Sequence, residues 1–222
     1  MNRVRSIYMK RSTVLTLGVA VVLVGALAAT PSFPGSKAKS AAPALRDGDI
    51  LFQTMGGGQS DAIALATGSK WTHVGVAFKD ADGWMVYEAV GPVKRTRLAA
   101  WIAQGEGHYA VKRWAESAAR LDAAAVASMH KAITPFMGLA YDWEFRWSDE
   151  KIYCSELVWK LYETGLGVRL CEPKPLKDYH LDSDLVQRTM KERYGSAPPM
   201  DEPMVAPATL FECAMLITVF ER

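Results

Sequence analysis

The sequence predicts an α+β domain in which helices lie on an antiparallel sheet. Two strand-like runs, residues 71–78 and 84–90, are joined by Asp80-Ala-Asp-Gly83, a hairpin by composition and loop length. Short apolar runs at 50–52, 109–114 and 213–220 supply further strands. From Cys154 the period becomes helical, with Cys154, Leu157, Val158 and Leu161 at i, i+3, i+4 and i+7 on one face.

Taken in order, residues 1–29 read as an export segment. Arg3, Arg5, Lys10 and Arg11 form a positive head, the run 14–29 is apolar and uncharged, and Ala26-Leu-Ala28 supplies small residues at the spacing of a cleavage site. No cysteine follows that run, which excludes a lipidated N-terminus. A cleaved signal peptide and an uncleaved membrane anchor both stay open, and each puts the domain in a periplasm. Residues 30–44, rich in Pro, Ser, Ala and Lys, are a linker. The domain, 45–222, starts at the turn signal Leu45-Arg-Asp-Gly-Asp49 and enters the buried strand 50–52.

Gly56-Gly-Gly58 precedes a short helix at 60–66. No Gly-Lys-Ser/Thr triplet follows, so the glycines suit a mobile loop beside the active site better than a phosphate cradle. With Ala81 and Asp82 at the hairpin tip, His73 lies opposite Val90, and Glu88 is its diagonal neighbour on the same face. Gly75 and Ala77 leave room on that face, while Val74, Val76 and Phe78 point into an apolar layer.

A short helix is expected at 98–102 and a strand at 109–114. Ser117 is placed to cap a helix carrying Leu121, Ala125, Met129 and Ile133. The aromatic stretch 141–147 leads into the cysteine helix as a wall of the site, and Gly165 and Gly167 end that helix. Ser183 caps a helix with Leu185, Val186 and Met190 that Gly195 stops. A Pro-rich loop, 198–207, precedes the last strand.

At 222 residues, less the export segment, the chain forms one domain. A net charge of +2 with scattered basic residues argues against a nucleic-acid partner. Among its three cysteines, Cys171 and Cys213 could pair in an oxidising compartment, leaving Cys154 free.

Cys154 falls in the first turn of its helix, where unpaired N–H groups and the helix dipole favour a thiolate. His73 supplies a base, and Glu88, a carboxylate among apolar neighbours, a partner that fixes the base's tautomer. Taken singly, a strand His and a helix-face Cys are ordinary packing residues; the set of three points to a thiol hydrolase. Asp178, His180, Asp182 and Asp184 cluster in sequence, but a solvated loop and helix cap account for them, and neither a metal nor a cofactor is expected. The absence of Gly-x-Ser-x-Gly argues against a serine nucleophile.

Gly48-Asp-Ile-Leu-Phe52, Thr72-His-Val-Gly75, Tyr87-Glu-Ala89 and Tyr153-Cys-Ser-Glu-Leu-Val158 resemble the YiiX/YaeF-like (YebB-like) group, circularly permuted relatives of the NlpC-type papain-like cysteine hydrolases. The order of His, then Glu, then Cys matches the permuted arrangement. The resemblance, over about residues 45–185, implies a papain-like α+β fold with Cys154 as nucleophile, His73 as base and Glu88 as third residue. It also implies cleavage of an amide bond in a peptide or acyl amide, cell-wall peptides among them. A lipid thioesterase or acyltransferase with the same triad, its cleft lined by Trp71, Trp84, Trp101, Trp143 and Trp147, stays open, as does a binding module that catalyses nothing.

Overall fold

A computed structural model describes residues 44–222. The export segment and all but the last residue of the linker lie outside the described residues. The first half of the chain runs β1 (Asp49–Gln53), α1 (Gly58–Thr67), β2 (His73–Asp80), β3 (Gly83–Ala89), β4 (Val93–Arg97), α2 (Leu98–Gln104), β5 (Tyr109–Trp114), α3 (Ser117–Arg120) and α4 (Ala123–Ile133). The second half continues through α5 (Cys154–Leu166), β6 (Lys174–Pro175), α6 (Asp184–Tyr194), β7 (Pro203–Met204), α7 (Pro207–Phe211) and β8 (Leu216–Glu221). Six strands make one antiparallel sheet in the order β4-β3-β2-β1-β5-β8, and β6 and β7 form a separate ribbon.

Alternation along the strands sorts the sheet into two buried faces. Ile50, Phe52, Val74, Val76 and Phe78 meet Leu157, Val158 and Leu161 of α5 and Met129 and Ile133 of α4. Leu51, Ala77, Val86 and Val111 on the opposite face pack around Trp101 of α2. The cysteine helix and the tryptophan helix therefore lie on opposite sides of the sheet. His73 at the start of β2 and Cys154 at the start of α5 come together where these two elements meet.

Several local expectations change. One helix was expected from Ser117; the chain breaks at Leu121, and Asp122 Oδ1 caps α4 by accepting from the Ala125 N–H at 2.9 Å. Asp accepts at this position as well as Ser does, so either is a legitimate start signal. Gly165 stays inside α5. A Cβ there would sit 3.0 Å from Met129 Cα, so the glycine lets α4 and α5 approach closely, and Gly167 alone, at φ 68°, ends the helix. The amphipathic pattern understates the burial of α5, because every residue from Cys154 to Tyr162 is buried. Lys160 manages this by reaching out to Ser148 O and Asp149 while pairing with the buried Glu156 at 2.8 Å.

Cys171 and Cys213 are both free thiols. The bridge that the sequence left open is not formed; Cys213 Sγ donates to the carbonyl of Leu170, and burial, followed by the nearby Cys213, raises the Cys171 thiol to about 12.

Candidate active site

The hairpin register sets the first half of the site. Asp80 pairs with Gly83, so Ala81 and Asp82 form the tip, and Val76 pairs with Tyr87. That register carries Glu88 beside Gly75 and diagonal to His73. A Cβ on Gly75 would lie 2.6 Å from Val86 Cγ1 and 2.8 Å from the Tyr87 carbonyl. The space Gly75 leaves is filled by β3 itself, not by a helix.

His73 Nε2 lies 2.7 Å from Glu88 Oε2, and both side chains are buried. Trp101 Nε1 donates to the same carboxylate oxygen at 3.0 Å, and the Thr96 hydroxyl donates to Oε1 at 2.5 Å. Three donors thus satisfy a carboxylate with no exposed surface. Burial pushes the Glu88 pKa up, but the His73 hydrogen bond and charge outweigh it and hold the group below its ordinary value. With Nε2–H held by Glu88, Nδ1 is the nitrogen left to face the thiol.

Cys154 opens α5. Its neighbours fix it: Tyr153 OH accepts from the Val205 N–H at 3.2 Å, and Ser155 Oγ donates to Val205 O at 2.6 Å. The segment entering α7 is thereby clamped over the helix start. Burial disfavours a thiolate here, yet hydrogen bonding and charge from His73, with the Val74 N–H, bring the Cys154 pKa below its ordinary value. Burial likewise opposes an imidazolium, and hydrogen bonds to Cys154 and Glu88 overcome it, raising His73 to about 9. The arrangement favours a thiolate–imidazolium pair at neutral pH.

Four further residues join the site. Thr96 and Trp101 hold Glu88 as described. Tyr141 lines the chamber together with Cys154; burial, then the adjacent sulfur charge, raises its pKa well above that of an ordinary phenol, so its hydroxyl stays a donor. Gln59, in the first turn of α1, donates Nε2–H to the Tyr141 hydroxyl at 3.4 Å. The Gly56–Gly58 stretch therefore delivers a glutamine to the site. The aromatic stretch 141–147 does supply a wall, and Tyr141 was the part of it with a polar handle. Glu156, in the first turn of α5, is raised by burial to about 7 despite Lys160.

A chamber of about 720 Å³, its open mouth included, ends on Tyr141 and Cys154. Its walls are Ala62, Ile63 and Ala66 of α1, Leu181 of the preceding loop, and Val186 and Met190 of α6. None of the five tryptophans that could have lined a lipid cleft takes part. Trp101 is committed to Glu88, Trp71 packs on Phe211, Trp147 packs on Trp159, Trp84 joins the core on the α2 side, and Trp143 is largely exposed beside Tyr141. Aliphatic side chains and tyrosines line the chamber instead.

Asp178, His180, Asp182 and Asp184 are all exposed, and among the described residues no group of three or more His, Cys, Asp or Glu side chains could hold a metal ion.

Residues 44–220 match the family described as permuted papain-like amidase enzyme, YaeF/YiiX, C92 family. The chain is 42% identical over 173 residues to the uncharacterized protein YiiX of Escherichia coli strain K12, covering 78% of this chain and 84% of that one. A crystal structure of yiiX from Escherichia coli O157:H7, described as a metalloprotein, superposes with a TM-score of 0.76 at 41% identity, covering 80% of this chain and 97% of that one.

Proposed function

The chain belongs to the C92 family of permuted papain-like amidases, and from that premise we propose that this cysteine hydrolase cleaves acyl amides whose acyl group is apolar, using Cys154, His73 and Glu88. The single observation that carries the substrate class is the aliphatic chamber ending at the Cys154 sulfur. A murein stem peptide, the substrate favoured from sequence, is polar along its length and matches these walls less well. The export-type segment at residues 1–29 supports a periplasmic site of action, with membrane attachment through that segment as a second way of holding the enzyme there.

The Cys154 thiolate attacks the amide carbonyl carbon and forms the C–S bond. Charge moving onto the carbonyl oxygen is met by the Cys154 backbone N–H at the helix start and by the Tyr141 hydroxyl. His73 gives its Nδ1 proton to the amide nitrogen, the C–N bond breaks, and the amine leaves a thioester on Cys154. Neutral His73 then takes a proton from water as the water attacks the thioester. The C–S bond breaks, the acid departs, and the thiolate–imidazolium pair is restored. Glu88 keeps Nε2–H in place throughout, steadied by Trp101 and Thr96. Cys154 and the free nitrogen of His73 offer a metal two protein donors where a catalytic zinc takes three. The donor set does not fit a metal centre, and no step uses one.

The test is a series of acyl p-nitroanilides from butanoyl to dodecanoyl, run beside a murein peptide digest. Turnover that rises with chain length and vanishes in Cys154→Ala supports the proposal. Cleavage of murein peptides with none of the anilides would sink it.

A further inference from the structure

Arg193 is the one charged residue among the described residues that line the chamber. It lies on the same face of α6 as Val186 and Met190, at i+7 and i+3, while Arg188, Lys191 and Glu192 face solvent. Its guanidinium carbon sits 4.6 Å from the centroid of the Phe145 ring, and one of its N–H groups donates to Gln59 Oε1 at 3.2 Å. The nearby acids do not neutralise it: Glu144 and Glu202 are both turned to Arg146, at 3.4 and 3.8 Å. No carboxylate among the described residues forms an ion pair with Arg193.

A guanidinium held on an aromatic ring in an apolar wall, with no carboxylate paired to it, keeps N–H donors and a charge to offer an anionic ligand group. Gln59 bridges it to the reacting centre, since its amide nitrogen reaches Tyr141 and its amide oxygen reaches Arg193. We propose that Arg193, oriented by Phe145 and Gln59, binds an anionic group, a carboxylate or a phosphoryl group, that the substrate carries close to its scissile amide. The substrate class narrows accordingly from apolar acyl amides to anionic ones, such as an acyl chain joined through an amide to an acidic head. This rests on the chamber being the substrate site, as in the function proposed above.

The test uses alkylation of Cys154, which needs no turnover. N-bromoacetylglycine, its methyl ester and N-bromoacetyl aminomethylphosphonate present a carboxylate, a neutral isostere and a phosphoryl anion to the same thiol. Rates are followed by peptide mass mapping in the wild type, Arg193→Gln and Arg193→Lys. The acid-to-ester rate ratio falls about tenfold in Arg193→Gln, the size of a charged hydrogen bond in a partly buried site, and Arg193→Lys keeps part of it. Whichever anion shows the larger ratio identifies the head group. A ratio that is the same in wild type and Arg193→Gln overturns the proposal. So does an equal slowing with all three reagents accompanied by a higher thiol pKa, because Arg193 would then act only through Gln59 and Tyr141. Failure of anilide hydrolysis would leave these ratios readable, so the two proposals fall separately.

Discussion

Replacing Glu88 by Gln removes a negative charge from behind the His73 ring while keeping the side chain's shape. The amide oxygen can still accept from Trp101 Nε1, and the Thr96 hydroxyl can turn to accept from the new NH₂. The fold should therefore survive. In the wild type His73 is held at about 9 against an ordinary 6.5, a preference for imidazolium of about 3 kcal/mol. Burial opposes that preference, and Cys154 and Glu88 share in supplying it. Loss of the Glu88 share takes on the order of 1–2 kcal/mol from the thiolate–imidazolium pair, roughly a factor of ten in its population. Iodoacetamide alkylation of Cys154, mapped by mass and followed from pH 5 to pH 10, reads this directly. The rate at pH 7 should fall about tenfold and the acid limb should move to higher pH. Hydrolysis should fall further, by about a hundredfold, because proton transfer to the leaving amine also suffers. An alkylation profile identical to the wild type would refute the reasoning, since Glu88 would then be a buried acid with no hold on the pair.

Tyr141→Phe removes the hydroxyl proposed to meet the developing oxyanion, so kcat should drop by about 10²–10³ while the melting temperature changes little. Gly75→Ala forces a methyl group against Val86 and the Tyr87 carbonyl at 2.6 and 2.8 Å. It should cost about 1–3 kcal/mol in urea unfolding and, by moving β3 away from β2, lower activity as well. Glu156 is held at about 7 by burial against an ordinary 4.5, so the folded state keeps its proton more tightly than the unfolded chain. Its contribution to stability is therefore greatest at low pH and declines by about 3 kcal/mol as pH rises from about 4.5 through about 7. Unfolding free energies measured across that window should show the slope in the wild type and a flatter one in Glu156→Gln.

The site was legible in the sequence wherever local pattern fixes geometry. A two-residue hairpin tip sets register and hence the face shared by His73 and Glu88, and helical spacing puts Cys154 at the start of a buried face. What escaped depends on distant parts of the chain. Gln59 meets Tyr141 across 82 positions, and no periodicity records such a contact. Thr96 had a faint signal: a buried carboxylate in one strand needs donors from the next, but β4, with Lys94, Arg95 and Arg97 exposed and Val93 alone fully buried, does not read as a strand by hydrophobicity. The tryptophans misled because large aromatic side chains fill cores and clefts alike. Here Trp71 and Trp101 went to the core, and the cleft was built from Ala, Ile, Leu, Val and Met on α1, α6 and the loops around them.

In the proposed mechanism Cys154 carries the acyl group between two proton transfers made by His73. Rapid acid quench of the enzyme with decanoyl p-nitroanilide, followed by intact and peptide mass, tests it most directly. A decanoyl adduct is expected on the Cys154 peptide, formed in step with a burst of p-nitroaniline and missing in Cys154→Ala. Steady release of p-nitroaniline with no adduct on Cys154, or release that persists in Cys154→Ala, would contradict it.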